Sequence, residues 1–198
     1  MSPQDKLYER FKDKFNGRFV EFGANNGIDQ SYTYKLAKDN GWKGVLVEPS
    51  YCLIDQLTLN RPESEIVLGA ISNYDGVISG NFNGSMMSSV NGDRKLSNDL
   101  NSVSCWKLTT LLTKLNFTDI DLCSIDTEGH ELECVDGIDF AVLNIKSFII
   151  ELYTHNVNWV TSRLAMVGYK RECLTNFNHE THPMWDGLHQ DYFFFKDE

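Results

Sequence analysis

Apolar and polar positions follow two rhythms along this chain. Residues 4–16 place Leu7, Phe11 and Phe15 four apart, the stripe of a short amphipathic helix within an N-terminal segment of residues 1–17. Arg18 to Phe22 is a compact apolar run that reads as a strand and stops at Gly23-Ala24-Asn25-Asn26-Gly27. A helical pattern from Ser31 to Asp39 closes at Asn40-Gly41. Gly44 to Glu48 predicts a second strand, Tyr51 to Asn60 a helix, and Glu65 to Ile71 a third strand. This β-α-β-α-β alternation at short spacing predicts an α/β fold: a parallel sheet with helices on both faces.

The middle of the chain breaks the rhythm. From 79 to 102, 14 of 24 residues are Gly, Asn or Ser, interrupted by Phe82, Met86, Met87 and Val90. That composition reads as a long loop and a candidate substrate lid, with a short hairpin around Gly76–Phe82. Regularity returns with Ser104 as an expected N-cap, followed by Leu108, Leu111, Leu112 and Leu115 on one helical face. Strands are then expected at Ile120–Ile125, Ser147–Leu152 and Tyr192–Phe195, with a helix from Asn158 to Val167. No repeat or second domain is visible, so residues 1–198 read as a single domain.

Composition narrows the classes. The chain has 198 residues, 41% of them apolar and 12% aromatic, enough to bury a core without disulfides or a structural metal. Its net charge is −10, the wrong sign for coating nucleic acid or an anionic membrane, so neither partner is expected. No stretch approaches 18 unbroken apolar residues, and Met1 to Arg18 carries four scattered basic residues before Arg18 and no apolar core of a signal peptide. Five cysteines form an odd count with no C-x-x-C pair, which suits reduced thiols and a cytoplasmic location.

The chemistry is expected at strand ends, because ligands of open α/β sheets bind there. The first strand ends in Glu21-x-Gly23-x-x-x-Gly27, the second in Glu48, the fourth in Asp126-x-Glu128-Gly129 and the fifth in Glu151. The loop spacing is G-x-x-x-G, without the middle glycine that admits a pyrophosphate. Its leading acid would repel a pyrophosphate and pair with a cationic ligand. Glu48 follows Gly27 by 21 residues, where an acid accepts hydrogen bonds from a ribose diol. Together these describe an adenosine site without a pyrophosphate site, and S-adenosylmethionine fits it.

At these residues the sequence resembles the FkbM-type methyltransferases. The resemblance rests on Phe19–Gly27, on Gly41–Pro49, on Asn60-Arg61-Pro62, and on Ile120-Asp121-Leu122-Cys123-Ser124-Ile125-Asp126-Thr127-Glu128-Gly129-His130-Glu131 followed by Gly137. It implies a Rossmann-like class I methyltransferase fold, with a mostly parallel seven-stranded sheet and an antiparallel C-terminal edge. It also implies S-adenosylmethionine as donor and O-methylation of a hydroxyl on a sugar or other small molecule. By position, Glu21, Gly23, Asn25 and Gly27 would cradle the methionine end, Glu48 the ribose, and Ala70 and Ser72 the adenine. Asp126 would sit beside the transferable methyl and leads the candidates for the base, ahead of Glu128, Glu151, His130 and His155. Two positions depart from the family pattern: Glu21 replaces the more usual Asp, and Ser124 stands where a basic residue is frequent.

A divalent metal held by these acids is the less favoured reading, since Glu128 and Glu131 also suit the start of the next helix. His179, His182 and His189 do not make the H-E-x-x-H pattern and read as loop residues, while Met86, Met87 and Trp185 are candidate substrate contacts. The competing functions are a nucleoside-binding module without chemistry and a nucleotide-cofactor enzyme on a similar sheet. Charge supports an acidic cleft: residues 119–139 hold eight acids and no Lys or Arg.

Overall fold

A computed structural model describes residues 2–84, 89–90, 100–175, 177, 180 and 187–197. Met86, Met87, His179, His182 and Trp185 lie outside the described residues. The first half runs α1 (Pro3–Phe11), β1 (Arg18–Phe22), α2 (Tyr34–Asn40), β2 (Lys43–Glu48), α3 (Ile54–Asn60), β3 (Glu65–Leu68), β4 (Ala70–Ile71) and β5 (Gly76–Gly80). The second half runs β6 (Asn101–Trp106), α4 (Leu108–Lys114), β7 (Asp119–Ile120), β8 (Leu122–Ile125), α5 (Glu131–Asp136) and β9 (Asn144–Ile145). It ends with β10 (Ser147–Tyr153), α6 (Val157–Ala165), β11 (Lys170–Cys173) and β12 (His189–Phe195).

Seven strands form the main sheet in the order β11-β12-β10-β8-β1-β2-β3. The pairs from β10 to β3 are parallel, and β12 runs antiparallel to both β10 and β11. Side chains alternate between faces. Val20, Val45, Cys123, Phe148 and Phe194 meet Leu112 of α4, Val135 of α5 and Leu164 of α6 on one side. Phe19, Leu46, Leu122, Ile149 and Phe193 meet Leu7 of α1, Leu36 of α2 and Leu57 of α3 on the other. The expected seven-stranded Rossmann-like sheet, covered by helices on both faces and edged by an antiparallel pair, is the observed one.

Several local expectations change. The first helix stops at Phe11, and Phe15 is 64% exposed. Asn40 Nδ2 donates to the Lys12 and Lys14 carbonyls, and Trp42 Nε1 also donates to the Lys14 carbonyl, so tertiary partners take the groups a longer helix would have used. Ser31 to Thr33 precede α2 because their polar groups bind Glu21. The strand expected over Glu65–Ile71 is broken at Gly69, whose φ is +156°. A Cβ there would meet the Trp106 ring at 2.5 Å, and β4 pairs instead with β6 in a separate three-stranded sheet, β4-β6-β5.

Ser104 is not an N-cap. It lies inside β6, which closes a hairpin with β5 across the long loop rather than within Gly76–Phe82. The helix begins at Leu108, and Asp75 accepts from the Lys107 amide and the Thr110 hydroxyl at its start. Cys105, Cys123 and Cys134 are buried, whereas Cys52 and Cys173 are exposed. Among the described residues, no helix is long and apolar enough to cross a membrane.

Candidate functional site

The glycine loop after β1 is closed on itself. Gly23, Asn25 and Gly27 all take positive φ, +71°, +49° and +79°. The amides of Gly23 and Ala24 donate to the Val47 carbonyl, that of Asn25 to Glu48 Oε2, and that of Gly27 to the Ala24 carbonyl. Asn26 donates to Asn25 Oδ1, and Ile28 and Asp29 both donate to Asn26 Oδ1. Seven consecutive amides are therefore bound within the protein, and none is left as a phosphate cradle of the kind dinucleotide sites use. The glycines themselves make room for protein. A Cβ on Gly23 would lie 1.9 Å from the Asp126 carbonyl oxygen, and one on Gly27 would lie 2.6 Å from Leu57 and Arg61.

Each acid at this edge has a distinct environment. Glu21 accepts from the Ser31 hydroxyl at 2.9 Å, the Tyr32 amide at 3.1 Å and the Thr33 hydroxyl at 2.5 Å, with Arg61 Nη1 3.8 Å away. Glu48 accepts from the Asn25 and Ser50 amides, both at 2.8 Å. Burial still pushes its carboxyl above the usual range. Burial, then the neighbouring Glu128 and Asp191 charges, hold Asp126 well above its ordinary value. Glu151 is pushed up to about 11 by burial and by Asp126 and Glu128. His130 is lowered by burial and meets Ser72 Oγ through Nε2 at 3.0 Å.

These groups surround an open cleft of about 900 Å3, counted out to solvent. Its apolar lining is Val47, Pro49, Ala70 and Ile71, with Phe82 and Val90 at the mouth of the small sheet. Of the residues expected from sequence, Glu21, Gly23, Asn25, Glu48, Ala70, Asp126, Glu128 and His130 line it together. Gly27, Ser72 and Glu151 are not part of that lining: Gly27 packs on α3, Ser72 is buried behind His130, and Glu151 stands one strand away. His155 is exposed and outside the lining.

Four residues of this site escaped sequence reasoning. Arg61, 1% exposed, donates to the Gly27 carbonyl at 3.0 Å and the Thr33 hydroxyl at 3.1 Å, tying the loop to the end of α3. Glu131 Oε1 accepts from the Thr127 amide and hydroxyl and from the Gly129 amide, and so shapes the turn after β8. Tyr32 is buried in the cleft wall. Asp191 lies directly across from Glu151 in the β10–β12 register. Because β12 is antiparallel, its beginning rather than its end reaches the ligand edge, and a search of strand ends overlooks it. The charged residue opening an otherwise aromatic strand was the available signal.

The cleft fits S-adenosylmethionine by donor chemistry: a paired carboxylate for a diol, an apolar slot beside it, acids for a cation, and closed amides in the loop. Among the described residues no group of three or more His, Cys, Asp or Glu is arranged to hold a metal ion. The solved FkbM methyltransferase from Methylobacillus flagellatus KT has a similar fold, with a TM-score of 0.59 and 14% identity over 98% of this chain and 48% of that one. The chain thus spans about half the length of that relative. A precorrin-6y C5,15-methyltransferase from Geobacter metallireducens GS-15 gives 0.57 and 11% over 98% and 87%. A dimethyladenosine transferase from Plasmodium falciparum gives 0.54 and 11% over 98% and 60%. None of the curated proteins matches the sequence. The profile of the methyltransferase FkbM domain matches residues 21–182, and the chain belongs to that family of S-adenosylmethionine-dependent methyltransferases.

Proposed function

We propose that the cleft holds S-adenosylmethionine with its ribose at Glu48 and its base beside Ala70 and Ile71, and that the acceptor is a hydroxyl on a sugar or other small molecule. The observation that carries this reading is the pairing of an amide-closed loop with carboxylates, which favours a nucleoside bearing a cation over one bearing phosphates. When bound, the cofactor supplies an electrophilic methyl whose bond to sulfur breaks as the bond to the acceptor oxygen forms.

The chain's own part is alignment and proton transfer. Holding donor and acceptor in near-attack geometry contributes roughly 7–11 kcal/mol toward the barrier. Asp126 takes the hydroxyl proton at a carboxylate oxygen: it lines the cleft, and a carboxyl raised by burial is a stronger base once ionised. Glu128 lines the same wall, where its charge raises the Asp126 carboxyl, and Glu151 stands one strand further on, so neither is assigned the hydroxyl proton in this reading. No metal is invoked, and dialysis against a chelator is expected to leave methyl transfer unchanged.

Isothermal titration tests the site. S-adenosylmethionine and S-adenosylhomocysteine should bind, and NAD should not. Asp126→Asn is then expected to lower turnover on a hydroxylated acceptor about 100-fold or more while changing S-adenosylhomocysteine affinity only a few-fold. Unchanged turnover would remove Asp126 from the role of base.

A further inference from the structure

Five adjacent strands each carry one acid at this edge of the sheet, on the face covered by α1, α2 and α3; three of them line the cleft, and Glu151 and Asp191 continue the row beside it. In sheet order they are Glu48 on β2, Glu21 on β1, Asp126 just past β8, Glu151 on β10 and Asp191 on β12. Alternation puts them on that face with Leu46, Phe19, Leu122, Ile149 and Phe193. The row divides in two. Glu48 is answered by two backbone amides and Glu21 by three donors and Arg61. Among the described residues, no lysine or arginine pairs with Asp126, Glu151 or Asp191, and the nearest basic partner is His189, 3.9 Å from Glu151.

A second feature points into the same half. Tyr32, 8% exposed, sets its hydroxyl among Asp191, Asp126 and Glu151. It faces Asp191 without forming a well-aligned hydrogen bond, and no other group satisfies it. A buried hydroxyl and three carboxylates short of donors call for a ligand that brings donors and positive charge. Burial raises all three carboxyls, and repulsion from neighbouring acids adds to it at Asp126 and Glu151, whereas Tyr32 and His189 act to lower Asp191.

Strand spacing says whose cation it is. Neighbouring strands lie about 4.8 Å apart, so a donor with its ribose at β2 spans two intervals, about 10 Å, to bring its methyl beside Asp126 at β8. Glu151 and Asp191 lie one and two intervals further on, beyond the methyl and on the acceptor's side. We propose that the acceptor carries an ammonium group, as an amino sugar or amino alcohol does, and that Asp126, Glu151 and Asp191 with Tyr32 select it. This rests on the cleft being the S-adenosylmethionine site, and it adds the acceptor's charge to that reading.

The test is titration of the full chain, saturated with S-adenosylhomocysteine, with acceptor probes in matched sets such as glucosamine, N-acetylglucosamine and glucose, or an amino alcohol and its diol. The amino member is expected to bind at least about ten-fold tighter than its neutral partners, the scale of one charge-assisted hydrogen bond. That preference should collapse in Asp191→Asn and Glu151→Gln and weaken in Tyr32→Phe, which keeps the ring packing. Equal binding within the sets, no binding by any amino member, or a preference that survives the three variants would overturn the proposal. So would a loss of discrimination between S-adenosylmethionine and S-adenosylhomocysteine with acceptor preference intact, since that assigns the acids to the donor. Failure of the cofactor reading shows separately, as failure of S-adenosylhomocysteine itself to bind.

Discussion

Arg61 and Glu21 meet in the interior, Nη1 3.8 Å from Oε2, and share Thr33 as a hydrogen-bonded bridge between them. The contact joins the end of α3 to the strand that launches the glycine loop. It also means that the acid leading the loop already has its counter-charge from the protein. Removing one partner of a buried pair leaves an uncompensated charge. Arg61→Met is therefore expected to destabilise the protein by about 3–5 kcal/mol in urea denaturation. Arg61→Lys should fall between, keeping the charge and losing the fork that reaches both the Gly27 carbonyl and Thr33.

Glu48 orients the loop and faces the cleft with one side chain. Glu48→Gln replaces one acceptor oxygen by an NH2 group that cannot receive the Asn25 or Ser50 amide. S-adenosylhomocysteine affinity should fall about ten- to hundred-fold, the loss of one charged hydrogen bond, while the alternating strand pattern around it preserves the fold. Titration calorimetry measures the first and circular dichroism the second.

Gly23 and Gly129 form a matched pair of left-handed positions. A methyl at Gly23 would collide with the Asp126 carbonyl at 1.9 Å, whereas nothing lies within 4 Å of one at Gly129. Gly129→Ala should cost only the left-handed strain at φ +105°, about 1–2 kcal/mol. Gly23→Ala should cost clearly more and weaken cofactor binding as well, because the backbone beside Asp126 must move. Thermal melts of the two variants side by side check the difference.

The free protein should lose stability as pH rises from mildly acidic to alkaline. Glu151 titrates near 11 folded, against an ordinary value of 4.5. Between those values the folded chain holds a proton that the unfolded chain has released. The stability linked to that proton is complete below about pH 4.5 and is lost progressively up to the folded value, with a slope of at most about 1.4 kcal/mol per pH unit for one proton. Glu151→Gln should flatten the dependence. Urea midpoints of both proteins from pH 5 to 9 measure it, and a parallel pair of curves would refute the assignment.

The strands that built the site were legible wherever burial on both faces demanded an unbroken apolar run. Arg18–Phe22 and Lys43–Glu48 read correctly because Val20 and Val45 serve one core and Phe19 and Leu46 the other. Lys170–Cys173 did not, because all four residues of that edge strand are exposed and no burial pattern marks it. Asn101–Trp106 was read in part as a helix start, since Ser104 suits a cap equally well, and only its pairing with Val77 in β5 makes it a strand. Ser31–Thr33 likewise read as helical until the Glu21 carboxylate claimed their donors.

By itself the sequence determined the parallel α/β order, the acid-led loop and the acids at strand ends, because periodicity and glycine placement are local properties of the chain. Tertiary structure decided which of those acids the protein itself answers with donors or a counter-charge. Arg61 reaches Glu21, and Asp191 reaches Glu151, each from 40 residues further along the chain, and neither contact leaves a mark in local pattern. In a buried setting of low dielectric, a partner a few ångströms away governs a carboxylate's charge, so the site's electrostatics belong to the fold rather than to the motif.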